Sequence, residues 1–293
     1  MGFAHFVSGW RWFILIFVFD MLSSAVALPK LILISMDGFR YDYLNLIPEE
    51  ETEHFQFMIK NGVKAKYVMN VFPSVTYANH YSILTGLYPE SHGIVHNLFY
   101  DSIWNEYFAL TNRRDNVDPF WYDVGAEPIY VTNQNAGGFS GSIVWPCGTG
   151  EVKGVKPNKI IPNAYWFTEM NSTYRVDTLI SWFTDPHQPI NLGLLYFPEP
   201  DEIAHATGAG SENVTDYIKG ELNDALGYLI TQLKKVGLYD EMNIILTSDH
   251  GLGNYNKSKT VLLNDYLNSS WYKTGSEDYS KNGNRITVNI FPE

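Results

Sequence analysis

Three short segments of the chain carry an aspartate just after a run of β-forming residues, and this arrangement constrains the fold more than any other feature. Asp37 directly follows the run LILISM. Asp201 directly follows LGLLYFPEP, with His205 four residues later, and the pair Asp249 and His250 follows NIILTS. In an open parallel sheet, ligands bind in the crevice beyond the carboxyl ends of the strands. The sequence therefore predicts that these segments meet at one place and that this place binds metal.

Apolar runs alternate with amphipathic stretches along the chain, as expected of an α/β protein. The predicted strands cover residues 31–35, 127–131, 142–145, 192–197 and 243–247. The clearest predicted helix spans 215–236, where apolar residues recur at helical spacing and Gly237 is a stop signal. A strand, a helix and a second strand in this length indicate a parallel crossover. We therefore expect a mostly parallel central sheet flanked by helices.

No repeat, low-complexity run or linker divides the sequence, and residues 28–293 are predicted to form one domain. Its segments 99–126 and 146–170 are polar, aromatic and rich in glycine and proline, which predicts loops over the site rather than sheet. The formal net charge of −12 opposes contact with a phosphate backbone and argues against duplex nucleic acid as a partner. A small anionic substrate is compatible with this charge if metal cations neutralise it locally.

The N-terminal residues 1–27 have the pattern of a signal peptide. Arg11 precedes an apolar run, and the small residues Ala25 and Ala27 frame a cleavage site, so the mature chain is expected to begin near Leu28. A membrane anchor is the alternative. It is disfavoured because the apolar run is shorter than the ~20 residues that a spanning helix needs.

Four glycosylation sequons agree with passage through the secretory pathway, and the protein is expected to be secreted or to face the outside of the plasma membrane. The sequons lie at Asn171, Asn213, Asn256 and Asn268. Cys147 is the single cysteine, so it is either buried and inert or paired with a cysteine outside this sequence.

The spacing of the acidic residues and histidines suits metal binding. Asp201 and His205 are four residues apart and share one face of a helical turn, so they can hold one cation between them. Asp249 and His250 are adjacent, and both can face inward in a turn beyond a strand. Carboxylate oxygen combined with imidazole nitrogen suits Zn²⁺ better than Mg²⁺. One such pair alone is more often a helix cap or an ion pair, but two pairs with Asp37 favour two cations that clamp a phosphoryl transfer.

A candidate nucleophile, Thr76, stands in the segment FPSVTYANHYSILTG, at a turn into a helix predicted over 76–84. A hydroxyl at such a position is most often only a helix cap. The same position, however, lets backbone N–H groups and the helix dipole favour negative charge on the threonine oxygen. Asn79, three residues further on, is predicted to donate its amide N–H to an oxyanion at the same place.

Five segments, taken together and in order, resemble the signature of the nucleotide pyrophosphatase/phosphodiesterase family within the alkaline phosphatase superfamily. They are MDGFRYDYL, FPSVTYANHYSILTGLYPESHGI, GAEPIYVTNQ, EPDEIAH and LTSDHG, and the resemblance runs from about Leu31 to the end of the chain. It implies an alkaline-phosphatase-like fold and a hydrolase that uses two zinc ions. It also implies that a threonine alkoxide attacks a phosphodiester, and that a zinc-bound hydroxide releases the phosphothreonine intermediate.

The resemblance also implies roles for the residues already singled out. It implies that Asp37, Thr76, Asp249 and His250 bind one zinc ion and that Thr76 is the nucleophile. It implies that Asp201 and His205 bind the second zinc ion, and that the amide of Asn79 stabilises the oxyanion.

Substrate contacts are implied by the same resemblance. Tyr77 and Tyr196 match aromatic positions that stack on a nucleobase, although tyrosines at such places are also common as half-buried rim residues. Trp145 lies in the substrate loop, where Cys147 replaces the glycine of the family's Trp-Pro-Gly pattern. Met170 stands where many members carry a tyrosine. A small nucleotide or other phosphodiester is the expected substrate, with a choline-lipid phosphodiester as the alternative.

The family completes its second zinc site with a histidine from a later segment, but no histidine follows His250 in this sequence. The chain is therefore expected to be the N-terminal part of a longer catalytic domain, and any membrane anchor is expected in the missing C-terminal segment. We expect the 293-residue chain itself to be a poor catalyst. The alternative is a catalytically impaired, secreted relative that keeps the fold and serves as a binding protein.

Overall fold

The computed structural model describes residues 28–112, 114–162, 170–254, 265, 266 and 268, and the backbone of 272–275 and 287–290. The predicted signal peptide and the sequon at Asn256 lie outside the described residues. Within the described part of the chain, no helix is both long enough and apolar enough to cross a membrane.

Nine strands form one central sheet and two hairpins among the described residues. The central sheet contains β1 (Lys30–Met36), β4 (Ser140–Ile143), β5 (Lys159–Ile161), β6 (Leu192–Phe197) and β7 (Met242–Thr247). These strands are parallel and follow the order β5-β4-β6-β1-β7. One hairpin pairs β2 (Leu98–Asp101) with β3 (Glu106–Ala109), and the other pairs β8 (Tyr272–Gly275) with β9 (Thr287–Ile290).

Helices alternate with the strands of the central sheet. They are α1 (Glu53–Asn61), α2 (Thr76–Thr85), α3 (Pro89–His92), α4 (Pro119–Tyr122), α5 (Ile129–Asn135), α6 (Ser172–Phe183), α7 (Asp201–Thr207), α8 (Glu212–Tyr217) and α9 (Asn223–Lys235). Short 3₁₀ turns cover Tyr43–Leu46, Glu49–Glu51 and Tyr239–Glu241. The predicted α/β architecture with a mostly parallel sheet is therefore confirmed.

The strands that precede the three aspartate segments lie side by side, since β1 pairs with β6 on one side and with β7 on the other. Strand β6 is buried along its whole length and β1 over its last five residues. Continuous apolar burial is typical of a parallel strand covered on both faces. Among the described strands, β7 lies at the edge of the sheet and is only half-buried, with Ile245 49% exposed.

Two strand predictions require correction. Residues 127–131 were predicted as a strand, but 129–135 form helix α5. Pro128, at the N-cap of this helix, has no N–H for a sheet ladder and is compatible with a helical first turn. The strand predicted over 142–145 begins two residues earlier and ends at Ile143, because Val144 has a left-handed φ of 47°.

The loops predicted over 99–126 and 146–170 contain two β elements, and the first segment also contains the short helix α4. The first segment contains most of the β2–β3 hairpin, in which Phe99 pairs with Phe108 and their rings stack at 4.9 Å. The second contains β5, whose three residues pair with β4. Both elements have four residues or fewer per strand, too short for their periodicity to stand out among the surrounding polar residues.

The helix predicted over 215–236 is present but interrupted. It begins earlier, at Glu212, and ends at Lys235. A π-helical turn, Ile218–Leu222, joins α8 to α9, and both of its apolar ends are fully buried. The burial of Ile218 and Leu222 agrees with their predicted place on the apolar face, whereas the π-helical turn itself has no signal in the helical spacing.

Candidate active site

Asp37 is placed by the turn that follows β1. Its side chain is 2% exposed, its N–H donates to the Phe197 carbonyl over 2.9 Å, and Gly38 follows at φ 65°. A Cβ on Gly38 would stand 2.4 Å from Leu252 Cδ1 and 2.9 Å from Asp201 Cβ. Because glycine alone combines this φ with so little space, the turn holds Asp37 close to the other two segments.

Asp37, Asp249 and His250 converge beyond the ends of β1 and β7. One ligand atom from each of the three lies within 4.8 Å of the others. His250 Nε2 is 3.5 Å from Asp37 Oδ1 and 3.3 Å from Asp249 Oδ2. The convergence predicted from the sequence is therefore present for these three side chains.

The donor set and its electrostatics fit a metal cation. Asp37 Oδ1 and Asp249 Oδ2 are buried and accept no hydrogen bond from the described residues. Burial, together with the charges of Asp249 and Asp201, raises the pKa of Asp37 well above its ordinary value. A bound cation would stabilise these buried oxygens in their charged form. Two carboxylates with one imidazole are ligands that zinc accepts.

Burial also raises the pKa of Asp249, but its neighbours have the larger effect. His80, His250 and the Gly38 N–H stabilise the carboxylate and hold its pKa below the ordinary value. The Gly38 N–H donates to Asp249 Oδ1 over 3.2 Å. Asp249 is therefore an anion that is available to a cation at neutral pH.

Asp201 and His205 lie on α7, next to this cluster. The N–H of Asp201 donates to the Asp37 carbonyl over 3.1 Å, which ties the start of α7 to the end of β1. His205 Nε2 is 3.3 Å from Asp201 Oδ2, and the His205 side chain is 56% exposed. The i, i+4 pair predicted from the sequence is thus formed, and one of its two members faces solvent.

Thr76 is the first residue of α2, and the residue at the N-cap is Val75, which makes no side-chain capping bond. The cap interpretation of the Thr76 hydroxyl therefore has no support. The helix ends at Thr85, one residue beyond the prediction, with Gly86 at φ 69°. Asn97 Oδ1 accepts from the N–H of Tyr77 over 2.9 Å, which places the Asn97 amide beside the start of this helix.

His80 is a residue that the sequence analysis did not single out. It lies one helical turn after Thr76 and is completely buried. Its Nδ1 is 2.8 Å from the Thr76 carbonyl and 3.3 Å from Asp249 Oδ2, so it joins the helix of the candidate nucleophile to the metal-ligand cluster. The signal available in the sequence was its i, i+4 relation to Thr76.

The structure does not support Asn79 as the oxyanion donor. Its side chain is 3% exposed, and its Nδ2 donates to the carbonyls of Pro73 (3.2 Å) and Val75 (2.9 Å). Its Oδ1 accepts from the N–H of Val71 over 2.8 Å. The amide therefore braces the loop before α2, because three unpaired backbone groups there take up its bonding capacity. Asn97 is the amide that lies at the helix start.

The aromatic residues predicted to contact substrate are buried. Tyr196 is 8% exposed and donates its hydroxyl to Asp37 Oδ2 over 2.6 Å. Trp145 is fully buried, and its ring meets His80 edge to face at 5.3 Å. Tyr77 is 3% exposed and packs on Phe108 at 5.8 Å. Tyr196 and Trp145 therefore support the site from inside the core, and none of the three presents a free face for a base.

Cys147 is buried, as one of the two sequence interpretations required, and burial raises the pKa of its thiol. Its φ of 59° is left-handed, a conformation in which glycine is favoured. The asparagines of the predicted sequons at Asn171, Asn213 and Asn268 are all exposed. Asn171 also caps α6 by accepting from the N–H of Tyr174 through Oδ1 over 2.8 Å.

A cavity of about 850 Å³ runs along the edge strand β7. Its lining reaches the site at Asp249 and His250 but, among the residues that the structure describes, does not include Thr76. It follows the half-buried face of β7, so we do not assign the substrate to it.

Residues 31–292 match the family model described as Type I phosphodiesterase / nucleotide pyrophosphatase. The chain is 42% identical over 245 residues to ectonucleotide pyrophosphatase/phosphodiesterase family member 5 of Homo sapiens, covering 83% of this chain and 49% of the relative. It is 39% identical over 255 residues to bis(5'-adenosyl)-triphosphatase enpp4 of Mus musculus, covering 85% of this chain and 53% of the relative. The chain thus spans about half the length of the curated relatives it matches.

The fold is shared with a solved structure. Murine ectonucleotide pyrophosphatase / phosphodiesterase 5, as an inactive threonine-to-alanine variant in complex with AMP, superposes with a TM-score of 0.76 at 38% identity. The alignment covers 84% of this chain and 63% of that chain.

Proposed function

Because this chain belongs to the type I phosphodiesterase / nucleotide pyrophosphatase family, we propose that it is a zinc-dependent hydrolase of small nucleotides that uses Thr76 as its nucleophile. The bonds that it cleaves are phosphodiester or phosphoanhydride bonds.

The convergence of Asp37, Asp249 and His250 carries this proposal. Their ligand atoms lie within 4.8 Å of one another at the carboxyl ends of neighbouring parallel strands. Two of the carboxylate oxygens are buried and accept no hydrogen bond from the described residues. Such oxygens are costly in a folded protein unless a cation neutralises them.

We assign Asp37, Asp249, His250 and the Thr76 hydroxyl to one zinc ion, and Asp201 and His205 to a second. Zinc bound there supplies Lewis-acid stabilisation of the phosphoryl charge and lowers the pKa of a neighbouring hydroxyl. The exposed imidazole of His205 and the mostly buried carboxylate of Asp201 are the two side chains that this chain contributes to the second ion.

The start of α2 prepares Thr76 for negative charge. Thr76 occupies the first helical position, where backbone N–H groups have no partner inside the helix and the helix dipole favours an anion. Asn97 is fixed there through its Oδ1, so its Nδ2 is the side-chain amide that we assign to the phosphoryl oxygens. This assignment replaces the one predicted for Asn79.

A small nucleotide is the substrate that the comparisons favour. The enpp4 relative of Mus musculus is named a bis(5'-adenosyl)-triphosphatase, and murine ectonucleotide pyrophosphatase / phosphodiesterase 5 was solved with AMP. The structure with AMP is of an inactive variant that has alanine in place of a threonine, which supports a threonine nucleophile. We therefore propose that this protein cleaves nucleotides such as a bis(adenosyl) polyphosphate, on the secretory route or outside the cell.

Zinc removal and replacement test the proposal. The intact protein is freed of metal with a chelator, and hydrolysis of bis(5'-adenosyl) triphosphate is followed by release of AMP. We expect no turnover without metal, recovery with Zn²⁺, and two zinc ions per intact protein. Turnover that persists in the metal-free protein would refute the zinc-dependent mechanism.

A further inference from the structure

We propose that His80 is a positioning residue that fixes Thr76 and the Asp249 carboxylate relative to each other; this inference rests on the proposed function. His80 does not belong to the ligand sets assigned above. It is completely buried on α2, one turn after Thr76 and between the ends of β1 and β7.

The Nδ1 atom of His80 faces two acceptors. It is 2.8 Å from the Thr76 carbonyl oxygen and 3.3 Å from Asp249 Oδ2. A carbonyl and a carboxylate cannot donate, so Nδ1 carries the proton. The N–H donates to the Thr76 carbonyl and at the same time lies against the Asp249 oxygen that also faces His250.

The other ring nitrogen is held by the strand that ends in Asp37. His80 Nε2 is 2.9 Å from the Oγ of Ser35, which is fully buried on β1 two residues before Asp37. His80 Nε2 and the Ser35 hydroxyl share a hydrogen bond. One imidazole thus joins the end of β1, the start of α2 and the carboxylate beyond β7.

Two aromatic rings prevent the imidazole from turning. Trp145 and Tyr196 each meet it edge to face, at 5.3 Å and 86° and at 5.2 Å and 83°. Tyr196 in turn donates its hydroxyl to Asp37 Oδ2 over 2.6 Å. The same buried group of side chains therefore orients a carboxylate oxygen on both Asp37 and Asp249.

This arrangement has a definite energetic consequence. A ligand carboxylate keeps its orientation through the partners behind it, and losing one such partner costs about 10–100-fold in metal affinity or activity. Loss of the Nδ1–H group should remove the polar contact with Asp249 Oδ2 and the side-chain hydrogen bond to the Thr76 carbonyl, so that both groups can shift. Zinc affinity and kcat should then fall together, while KM should change little because no substrate contact is lost.

Two polar replacements at position 80 distinguish the roles of the two ring nitrogens. In His80→Asn the amide nitrogen overlaps Nδ1 and keeps the donor toward Thr76 and Asp249. In His80→Gln the amide overlaps Nε2 and keeps the contact with Ser35 alone. Zinc affinity is measured in the intact protein by competition with a chelating dye, alongside kcat and KM for a nitrophenyl nucleotide ester.

We expect His80→Gln to lose at least about tenfold in zinc affinity and in kcat, and His80→Asn to stay near the wild type. His92→Gln is the matched control, because His92 is also fully buried and its ring forms a 2.8 Å hydrogen bond with a serine, Ser82, which lies on the helix of His80. It should lose thermal stability but no zinc affinity.

Equal zinc affinity in wild type and His80→Gln would overturn the role of His80, as would equal losses in both variants at position 80 and in His92→Gln. A wild type that binds no zinc would refute the proposed function itself, and the role of His80 with it.

Discussion

The hydroxyl of Tyr196 donates to Asp37 Oδ2 over 2.6 Å, inside the core and at the edge of the metal-ligand cluster. The contact crosses two paired strands, in which Tyr196 faces Ser35 in register. The hydroxyl of Tyr196 therefore orients the Asp37 carboxylate, and its buried ring does not present a face on which a nucleobase could stack.

Replacing Tyr196 with phenylalanine should remove this hydrogen bond and leave the ring packing intact. We expect zinc affinity to fall about 10–100-fold, with equal losses of kcat/KM on a nitrophenyl nucleotide ester and on a base-free nitrophenyl phosphodiester. A loss confined to the nucleotide ester would restore the base-stacking role that the sequence predicted.

Gly38 and Gly86 form a matched pair for testing the turn beside Asp37. Both have a left-handed φ, 65° and 69°, but a Cβ on Gly38 would collide with Leu252 and Asp201, while one on Gly86 would meet nothing within 4 Å. Gly86→Ala should cost about 1 kcal/mol of unfolding free energy from its backbone strain alone. Gly38→Ala should cost more and should also weaken zinc binding, because Asp201 must move.

Chemical denaturation and zinc titration of the two alanine variants check this prediction. Similar unfolding free energies for both variants, with unchanged zinc affinity, would show that the Gly38 turn tolerates a side chain.

Arg175, on α6, contacts the end of β6, just before the segment that leads to α7. It is 4% exposed, and its Nη1 donates to the Tyr196 carbonyl over 3.0 Å. Burial raises the pKa of Glu199, and the Arg175 cation opposes that rise. Arg175→Met removes the hydrogen bond to the Tyr196 carbonyl and the cation near the partly buried Glu199, so the unfolding free energy should fall by about 1–3 kcal/mol.

Asp177→Asn is the control for Arg175, since Asp177 is an exposed residue on the same helix and asparagine keeps the Oδ1 that accepts from the Tyr228 hydroxyl, so stability should change by about 0.5 kcal/mol or less. Urea denaturation of both variants measures the difference. A loss of about 0.5 kcal/mol or less for Arg175→Met, like that of the control, would contradict a stabilising role of the Arg175 guanidinium.

His92 should make stability depend on pH. Burial lowers the pKa of His92 to about 4, below the ordinary 6.5, so the folded protein binds fewer protons than the unfolded chain between these values. The unfolding free energy therefore falls as the pH drops from about 6.5 to about 4, by on the order of 2–3 kcal/mol, and is unaffected by this group above pH 6.5.

Unfolding free energies at several pH values check this sign. His92→Gln should flatten the fall relative to wild type, whereas His187→Gln, which changes an exposed histidine, should not. An unchanged slope in His92→Gln would show that His92 is not the group responsible.

The sequence predicted the elements with the strongest patterns and the residues tied to them. The buried strands β1 and β6 and the helix of Thr76 came close to their observed bounds, because apolar runs and a Gly stop are local signals. The convergence of Asp37 with Asp249 also followed, since parallel strands end at one edge. Two predictions were wrong. Val131 and its neighbours were predicted as a strand although they form a helix, and β5 is too short for its sequence pattern to predict a strand.

The failures within the site have a different cause. Asn79 and Tyr196 have the right chemistry for the roles predicted, but their side chains are directed into the protein by backbone groups of the loop before α2 and by Asp37. His80 and Asn97 act through partners far away in sequence or through backbone atoms. Orientation of this kind depends on tertiary packing, and no spacing rule along one segment encodes it.

The most direct test of the proposed mechanism compares Thr76→Ala with Thr76→Ser in the intact protein, following hydrolysis of a nitrophenyl nucleotide ester together with zinc content. Serine keeps the hydroxyl and should keep measurable turnover, whereas alanine should abolish it. Zinc should stay bound in both variants, because Asp37, Asp249 and His250 remain as three ligands. Turnover of Thr76→Ala close to that of the wild type, with zinc bound, would contradict Thr76 as the nucleophile.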